Sequence, residues 1–151
     1  MRYRLFALMV IAPLLIQLVS PVPVGAGTKT FIAVINGGQE VPPTTSNAIG
    51  VALLTFDSTT DDLCYSISFT TLVGTETAAH FHGPAAPGTN APIIFFITPP
   101  GPSPLGSPKT GCVGPLSGPQ QSDLKKGKIY LNVHSTVFPG GEIRGQIVQT
   151  R

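Results

Sequence analysis

The sequence lacks any apolar stretch beyond residue 26 that is long enough to cross a membrane. The one long apolar run, Leu5 to Val19, is shorter than the ~20 residues that a spanning helix needs. It follows basic residues at positions 2 and 4 and precedes small residues that end at Ala26. This layout is typical of a secretory signal peptide, which we assign to residues 1–26; an uncleaved N-terminal anchor is the alternative. We therefore expect a secreted, periplasmic or otherwise extracytoplasmic domain over residues 27–151.

That domain also lacks a net charge. Beyond residue 26, five Lys and two Arg balance seven Asp and Glu. A nucleic-acid partner requires a basic face, and an anionic membrane surface attracts clusters of Lys and Arg. The composition therefore argues against both as partners.

Cysteine is scarce, and the glycosylation signal Asn-x-Ser/Thr is absent. The two cysteines are Cys64 and Cys112. Export would place them in an oxidising compartment, where a single disulfide between them is expected; two free thiols are the alternative.

Helical periodicity is nearly absent after residue 26, whereas the whole chain has 17 Gly and 16 Pro. Short β-rich runs separated by turn residues predict an all-β domain. We predict an antiparallel Greek-key β-sandwich or barrel of seven or eight strands. The runs that we assign as strands are 30–35, 49–56, 63–70, 77–82, 92–98, 128–134 and 142–149.

Three details of this assignment concern the irregular parts of the chain. Residues 99–119 are dense in Pro, Gly and Ser and predict a long loop pinned at Cys112. One helical turn is expected at residues 122–126, with Ser122 as N-cap and Gly127 as its end. The apolar run Ile93 to Ile97 predicts a strand that is buried on both faces, or nearly so.

The sequence also lacks the signatures of common hydrolytic sites. No Ser or Cys lies in a nucleophile-elbow context, and the carboxylates form no obvious acid–base pair. The three histidines are His80, His82 and His134. Any chemical site is therefore expected to form around them.

Strand alternation places the histidines on outer faces. His80 and His82 share one face of their strand while Phe81 points inward, and His134 points outward on its own strand. Residues at i and i+2 lie ~6.7 Å apart along a strand, so two imidazoles can converge on one ion, and a neighbouring strand can supply a third. Imidazole suits copper, zinc, iron and nickel. We predict a three-histidine metal site, partly shielded by residues 99–119; histidines that only hold that loop by hydrogen bonds are the alternative.

Two charged residues, Glu142 and Arg144, share the outer face of the last hairpin. Glu142 is expected either to accept a hydrogen bond from an imidazole N–H or to pair with Arg144; a fourth-ligand role is less favoured. Arg144 is expected either to form that ion pair or to guide an anion towards the metal.

Several motifs together resemble the CHRD domain, first described in chordin. They are Gln39-Glu40-Val41-Pro42-Pro43, Leu63-Cys64-Tyr65, Thr77 to Ala85 with its His-x-His-Gly, Gly127 to Ser135, and Gly141 to Ile147 with its Gly-Glu-Ile-Arg-Gly. The resemblance covers residues 30–150 and implies an extracytoplasmic β-rich domain without implying an activity. In chordin these domains belong to a secreted protein that binds growth factors, which implies an extracellular protein partner as an alternative function.

A weaker similarity is to copper/zinc superoxide dismutase, a Greek-key barrel with a His-x-His strand and a disulfide-anchored loop. It implies copper ligation by His80, His82 and His134, and an anion-guiding role for Arg144. The chain lacks the further histidines of a bridged two-metal site. Our leading hypothesis is therefore a mononuclear site, with copper favoured over zinc or iron. A non-catalytic interaction domain and a dismutase-like enzyme are the alternatives.

Overall fold

A computed structural model describes residues 27–98 and 101–151. The signal peptide that we predict at residues 1–26 lies outside the described residues. Within the described ranges, no helix is both long enough and apolar enough to cross a membrane.

The described chain forms one antiparallel sheet that is nearly closed into a barrel. Its strands are β1 (Thr28–Asn36), β2 (Ile49–Asp57), β3 (Asp62–Thr70), β4 (Glu76–His82), β5 (Ile93–Phe96), β6 (Lys109–Val113), β7 (Tyr130–Ser135), β8 (Ile143–Gln146) and β9 (Val148–Gln149). The spatial order is β5-β4-β7-β8-β1-β2-β3-β6, and β9 pairs with β1. A 3₁₀ turn (Gly37–Gln39) and a single helix, α1 (Gly118–Lys125), complete the described elements. The all-β prediction is confirmed.

Period-two alternation explains how the core is built. On β3, Leu63, Tyr65 and Ile67 are buried while the residues between them face outward. Tyr65 meets Phe81 of β4 edge to face across the interior, with ring centroids 5.6 Å apart. The interior is therefore filled from strands on opposite walls of the barrel.

The disulfide is formed, but not as a tether for a loop. Residues 109–113, which we assigned to the long loop, form β6 and pair with β3. Cys64 and Cys112 lie directly opposite each other in that pairing and are bonded. The bridge therefore joins two neighbouring strands on the outside of the sheet.

The helix is longer than the single predicted turn and begins earlier. Ser117, not Ser122, is the N-cap: its side chain accepts from the Gln120 amide, and the Gln120 side chain accepts from the Ser117 amide. This reciprocal capping box fixes the first turn. The predicted end is correct, because Gly127 adopts the left-handed conformation with φ of 67°.

Strand β5 is less buried than its apolar sequence predicts. Ile93 and Phe96 are each 41% exposed. β5 stands at one end of the strand order and pairs only with β4, so part of it faces solvent. The prediction of a strand buried on both faces is wrong.

Candidate metal centre

The pairing of β4 with β7 brings the three histidines to one patch on the outside of the barrel. Phe81 and Leu131 are paired across the two strands and lie fully inside. His80 and His82, one residue to either side of Phe81, therefore point outward, and so does His134 opposite Ala78. His80 is 7% exposed and His82 is 9% exposed, so the patch is covered rather than open.

The imidazole nitrogens are close enough to hold one ion. One nitrogen from each of the three rings lies within 4.8 Å of the other two. Nδ1 of His80 and Nε2 of His134 are hydrogen-bonded to each other at 3.2 Å. Two nitrogens bound to one tetrahedral ion at ~2.0–2.1 Å would lie about 3.3 Å apart. The observed spacing therefore fits shared coordination without a large movement of either ring.

Hydrogen bonds to backbone carbonyls determine which nitrogen two of the rings present. The carbonyl of Ala91 lies 2.9 Å from His82 Nδ1, and that of Pro139 lies 3.0 Å from His134 Nδ1. A carbonyl oxygen only accepts, so each Nδ1 carries the proton and each Nε2 presents its lone pair. This arrangement is the usual support of metal-binding histidines. Within the described chain, Nε2 of His82 is buried and has no hydrogen-bond partner.

The surroundings keep the imidazoles neutral. Burial, reinforced by His134 and His82, lowers the pKa of His80 from 6.5 to about 4. Burial likewise lowers the pKa of His82 and His134, against the opposing effect of their carbonyl hydrogen bonds. Only a neutral ring can bind a metal, so the charge state at neutral pH is the one that a metal site requires. Because His134 Nε2 can only accept, His80 Nδ1 donates to it in the metal-free protein, and a metal bound at His80 Nδ1 would require the other tautomer of that ring.

Arg144 fastens the loop that covers the site. Its Nη2 donates to the Thr89 carbonyl at 2.7 Å, and its Nη1 donates to Asn90 Oδ1 at 3.1 Å. The guanidinium lies 3.4 Å from the ring centroid of Tyr130, whose ring also stacks on His82 with planes 2° apart. Arg144 is 1% exposed, so its charge is largely occupied by these contacts. The role that the structure supports is positioning of residues 83–92, not capture of an anion from solvent.

Glu142 lies away from the three imidazoles. Its Oε1 accepts from Ser46 Oγ at 2.7 Å and from the Val73 amide at 2.6 Å. No carboxylate of the described chain joins the histidine group. The expected ion pair with Arg144 does not form, because each charge is bound by a different loop.

The cover of the site also differs from expectation. Residues 89–91 contact Arg144, His82 and Tyr130, so the loop between β4 and β5 lies over the patch. The described part of residues 99–119 instead supplies β6, and Ser103 bonds the hydroxyl of Tyr65. The shielding that we assigned to that segment belongs to the preceding loop.

Three further residues belong to the patch although we did not select them. Tyr130 stacks on His82, and Asn132, opposite His80 in the strand pairing, donates to both oxygens of Glu40 at 2.8 and 3.0 Å. Burial raises the pKa of Glu40 to about 7, against the attraction of Arg144. Strand alternation in the sequence already predicts that Tyr130 and Asn132 point outward. Nothing in the sequence indicated that Glu40 folds over them.

Comparison with known proteins identifies the family. The family model of the CHRD domain matches residues 31–147. No curated protein and no solved structure matches, so the weaker similarity to superoxide dismutase gains no support. CHRD domains are extracellular, and the Cys64–Cys112 disulfide fits secretion. The chain belongs to the CHRD domain family.

Proposed function

We propose that this CHRD domain binds a single transition-metal ion through His80, His82 and His134. The observation that carries the proposal is the buried, unpartnered Nε2 of His82 beside two further imidazole nitrogens. Leaving a buried polar atom without a partner costs roughly 1–3 kcal/mol. A bound ion would remove that cost.

The donor set favours copper. Three neutral imidazoles suit copper, zinc and iron, and copper forms the most stable divalent complexes with such ligands. Nδ1 of His80 and Nε2 of His82 and His134 are the donor atoms. A bound copper ion would supply redox chemistry or Lewis acidity. The protein contributes rigid rings, held by the carbonyls of Ala91 and Pro139.

Metal titration of the purified, untagged protein tests this proposal. We expect one equivalent of copper, with nitrogen hyperfine structure in the electron paramagnetic resonance spectrum. The double variant His80→Ala/His82→Ala is expected to lose binding, whereas Ser68→Ala, on the outer face of β3, is expected to keep it. Stoichiometric binding that survives the double change would reject this site.

One observation favours a second function, an interaction domain with structural histidines. The His82 and His134 rings already bond the carbonyls of two loops, so they would order those loops without a metal. In that case the protein would bind no copper, zinc or iron, and His82→Ala would raise hydrogen exchange in residues 83–92. No contact favours a dismutase in particular, since Arg144 is covered. Superoxide turnover by the copper-loaded protein, abolished by His134→Ala, is the result that would support one.

A further inference from the structure

The outside of the barrel has two halves with different surroundings. Loops cover the half formed by β4, β7 and β8, where the histidines lie. The half formed by β1, β2 and β3 carries its outward side chains in rows across the three strands. These rows are Asn36–Ile49–Thr70, Val34–Val51–Ser68, Ile32–Leu53–Ser66 and Thr30–Thr55–Cys64.

These four rows, which we call the bare face, are apolar in the middle and contain no charged side chain. Val34 is 60% exposed, Ile49 58%, Leu53 57% and Val51 39%. Scattered apolar residues are common on protein surfaces, but a contiguous cluster marks a contact surface. Because the rows contain no charged side chain, this face offers no ion pair to a charged partner, and a partner for it is expected to be apolar.

The size of the bare face suits a modest protein interface. The four rows lie ~6.7 Å apart and so extend ~20 Å along the strands, and three strands spaced ~4.8 Å apart span about 15 Å. This footprint is smaller than the ~800 Å² that each partner buries in a standard interface, which corresponds to a weak, reversible complex.

We propose that the bare face of one molecule packs against the bare face of a second copy. Both a ridge and a groove lie on the face: Leu53 projects, and beside it Val34, Ile49 and Val51 line a groove of about 450 Å³. A two-fold axis that lies between the two sheets and crosses the strands at the level of Val51 brings Leu53 of each copy onto Ile49 of the other. Such a self-complementary contact closes as a dimer, with the two sheets about 10 Å apart.

The dimer does not depend on the metal site. The histidines lie on β4 and β7, whereas the bare face lies on β1, β2 and β3. Both copies therefore keep their histidine patches outside the interface, and dimerisation and metal binding can fail separately.

Sedimentation velocity over a concentration series tests the proposal. We expect the protein to dimerise in the micromolar range, and Leu53→Lys or Ile49→Asp to weaken the dimer at least tenfold. Val73→Lys and Val137→Asp are matched controls, since these residues are 57% and 52% exposed outside the bare face. Neither control is expected to change the sedimentation.

Mixing the two variants gives the sharpest test. A Leu53→Lys molecule paired with an Ile49→Asp molecule sets the new ammonium against the new carboxylate, while the second contact remains Leu53 on Ile49. The mixture is therefore expected to form heterodimers more tightly than either variant forms homodimers. A wild-type protein that stays monomeric at millimolar concentration would overturn the proposal. So would a dimer that both variants leave intact.

Discussion

The stability of the metal-free protein in mild acid is expected to reflect buried groups with opposite pKa shifts: the histidines, of which His80 has the largest stated shift, and Glu40. Burial, with the neighbouring His134 and His82, lowers the pKa of His80 from 6.5 to about 4. Burial raises the pKa of Glu40 from 4.5 to about 7, against the attraction of Arg144. Both side chains are more than nine-tenths buried, so solvent screens neither shift strongly.

The two shifts change the free energy of unfolding in opposite directions as pH falls. Between pH 6.5 and about 4, the unfolded chain protonates His80 and the folded protein does not, so acid destabilises the fold. Between pH 7 and 4.5, the folded protein protonates Glu40 and the unfolded chain does not, so acid stabilises the fold. Each effect is worth about 3 kcal/mol at 1.36 kcal/mol per pKa unit.

Glu40→Gln separates the two effects. The new amide keeps an oxygen that can accept from Asn132 but no longer titrates. We expect the variant to lose about 3 kcal/mol more stability than the wild-type protein as the pH falls from 7 to 4.5. Urea unfolding of the metal-free proteins at a series of pH values measures this difference.

His80→Gln is the complementary variant, and it should gain stability relative to the wild-type protein over the same pH range. If Glu40→Gln and the wild-type protein lose stability in parallel, Glu40 does not titrate near neutrality and the description of its burial is incorrect. If His80→Gln instead loses stability faster, the neutral state that we assign to His80 is incorrect.

Three other changes test the supports of the fold and the site. Cys64→Ser with Cys112→Ser should cost roughly 2–4 kcal/mol of unfolding free energy by chemical denaturation and leave metal stoichiometry unchanged, since the disulfide joins β3 to β6. Arg144→Lys keeps the charge but loses the fork that binds the loop, so hydrogen exchange should rise in residues 83–92 while it stays unchanged in β2. Gly141→Ala should destabilise the protein by more than 2 kcal/mol, roughly the cost of overpacking plus backbone strain: φ there is 131°, and a Cβ would lie 2.5 Å from a buried amide. An unchanged melting temperature would contradict this last expectation.

The parts of the fold that follow local rules could be predicted from the sequence. Leu63, Tyr65 and Ile67 alternate with small polar residues, and β3 has the expected face inside. The same rule turned His80 and His82 outward around Phe81, and the structure confirms that orientation. Alternation is reliable here because a shift of one residue would move every apolar side chain out of the core.

The parts that depend on distant contacts could not be predicted in the same way. β6 reads Lys-Thr-Gly-Cys-Val between Pro-rich segments, and it is a strand because β3 offers it a free edge. Lys109 within it is buried only because Glu76 of β4 pairs with it at 2.8 Å. Glu142 and Arg144 share a strand face in the sequence pattern, but they do not pair with each other. Glu142 instead accepts from Ser46 and Arg144 donates to Thr89, and these two partners lie on separate loops. The helix start, by contrast, could have been predicted from the local sequence, because Ser117 and Gln120 have the spacing of a capping box. We assigned the N-cap to Ser122 instead.

Anomalous X-ray diffraction at the copper absorption edge, from crystals of the copper-loaded protein, tests the central claim most directly. We predict one strong peak within bonding distance of Nδ1 of His80 and Nε2 of His82 and His134. The rings should keep their hydrogen bonds to Ala91 and Pro139. A fully loaded crystal with no peak among the three imidazoles, or with copper bound elsewhere on the chain, would contradict the account.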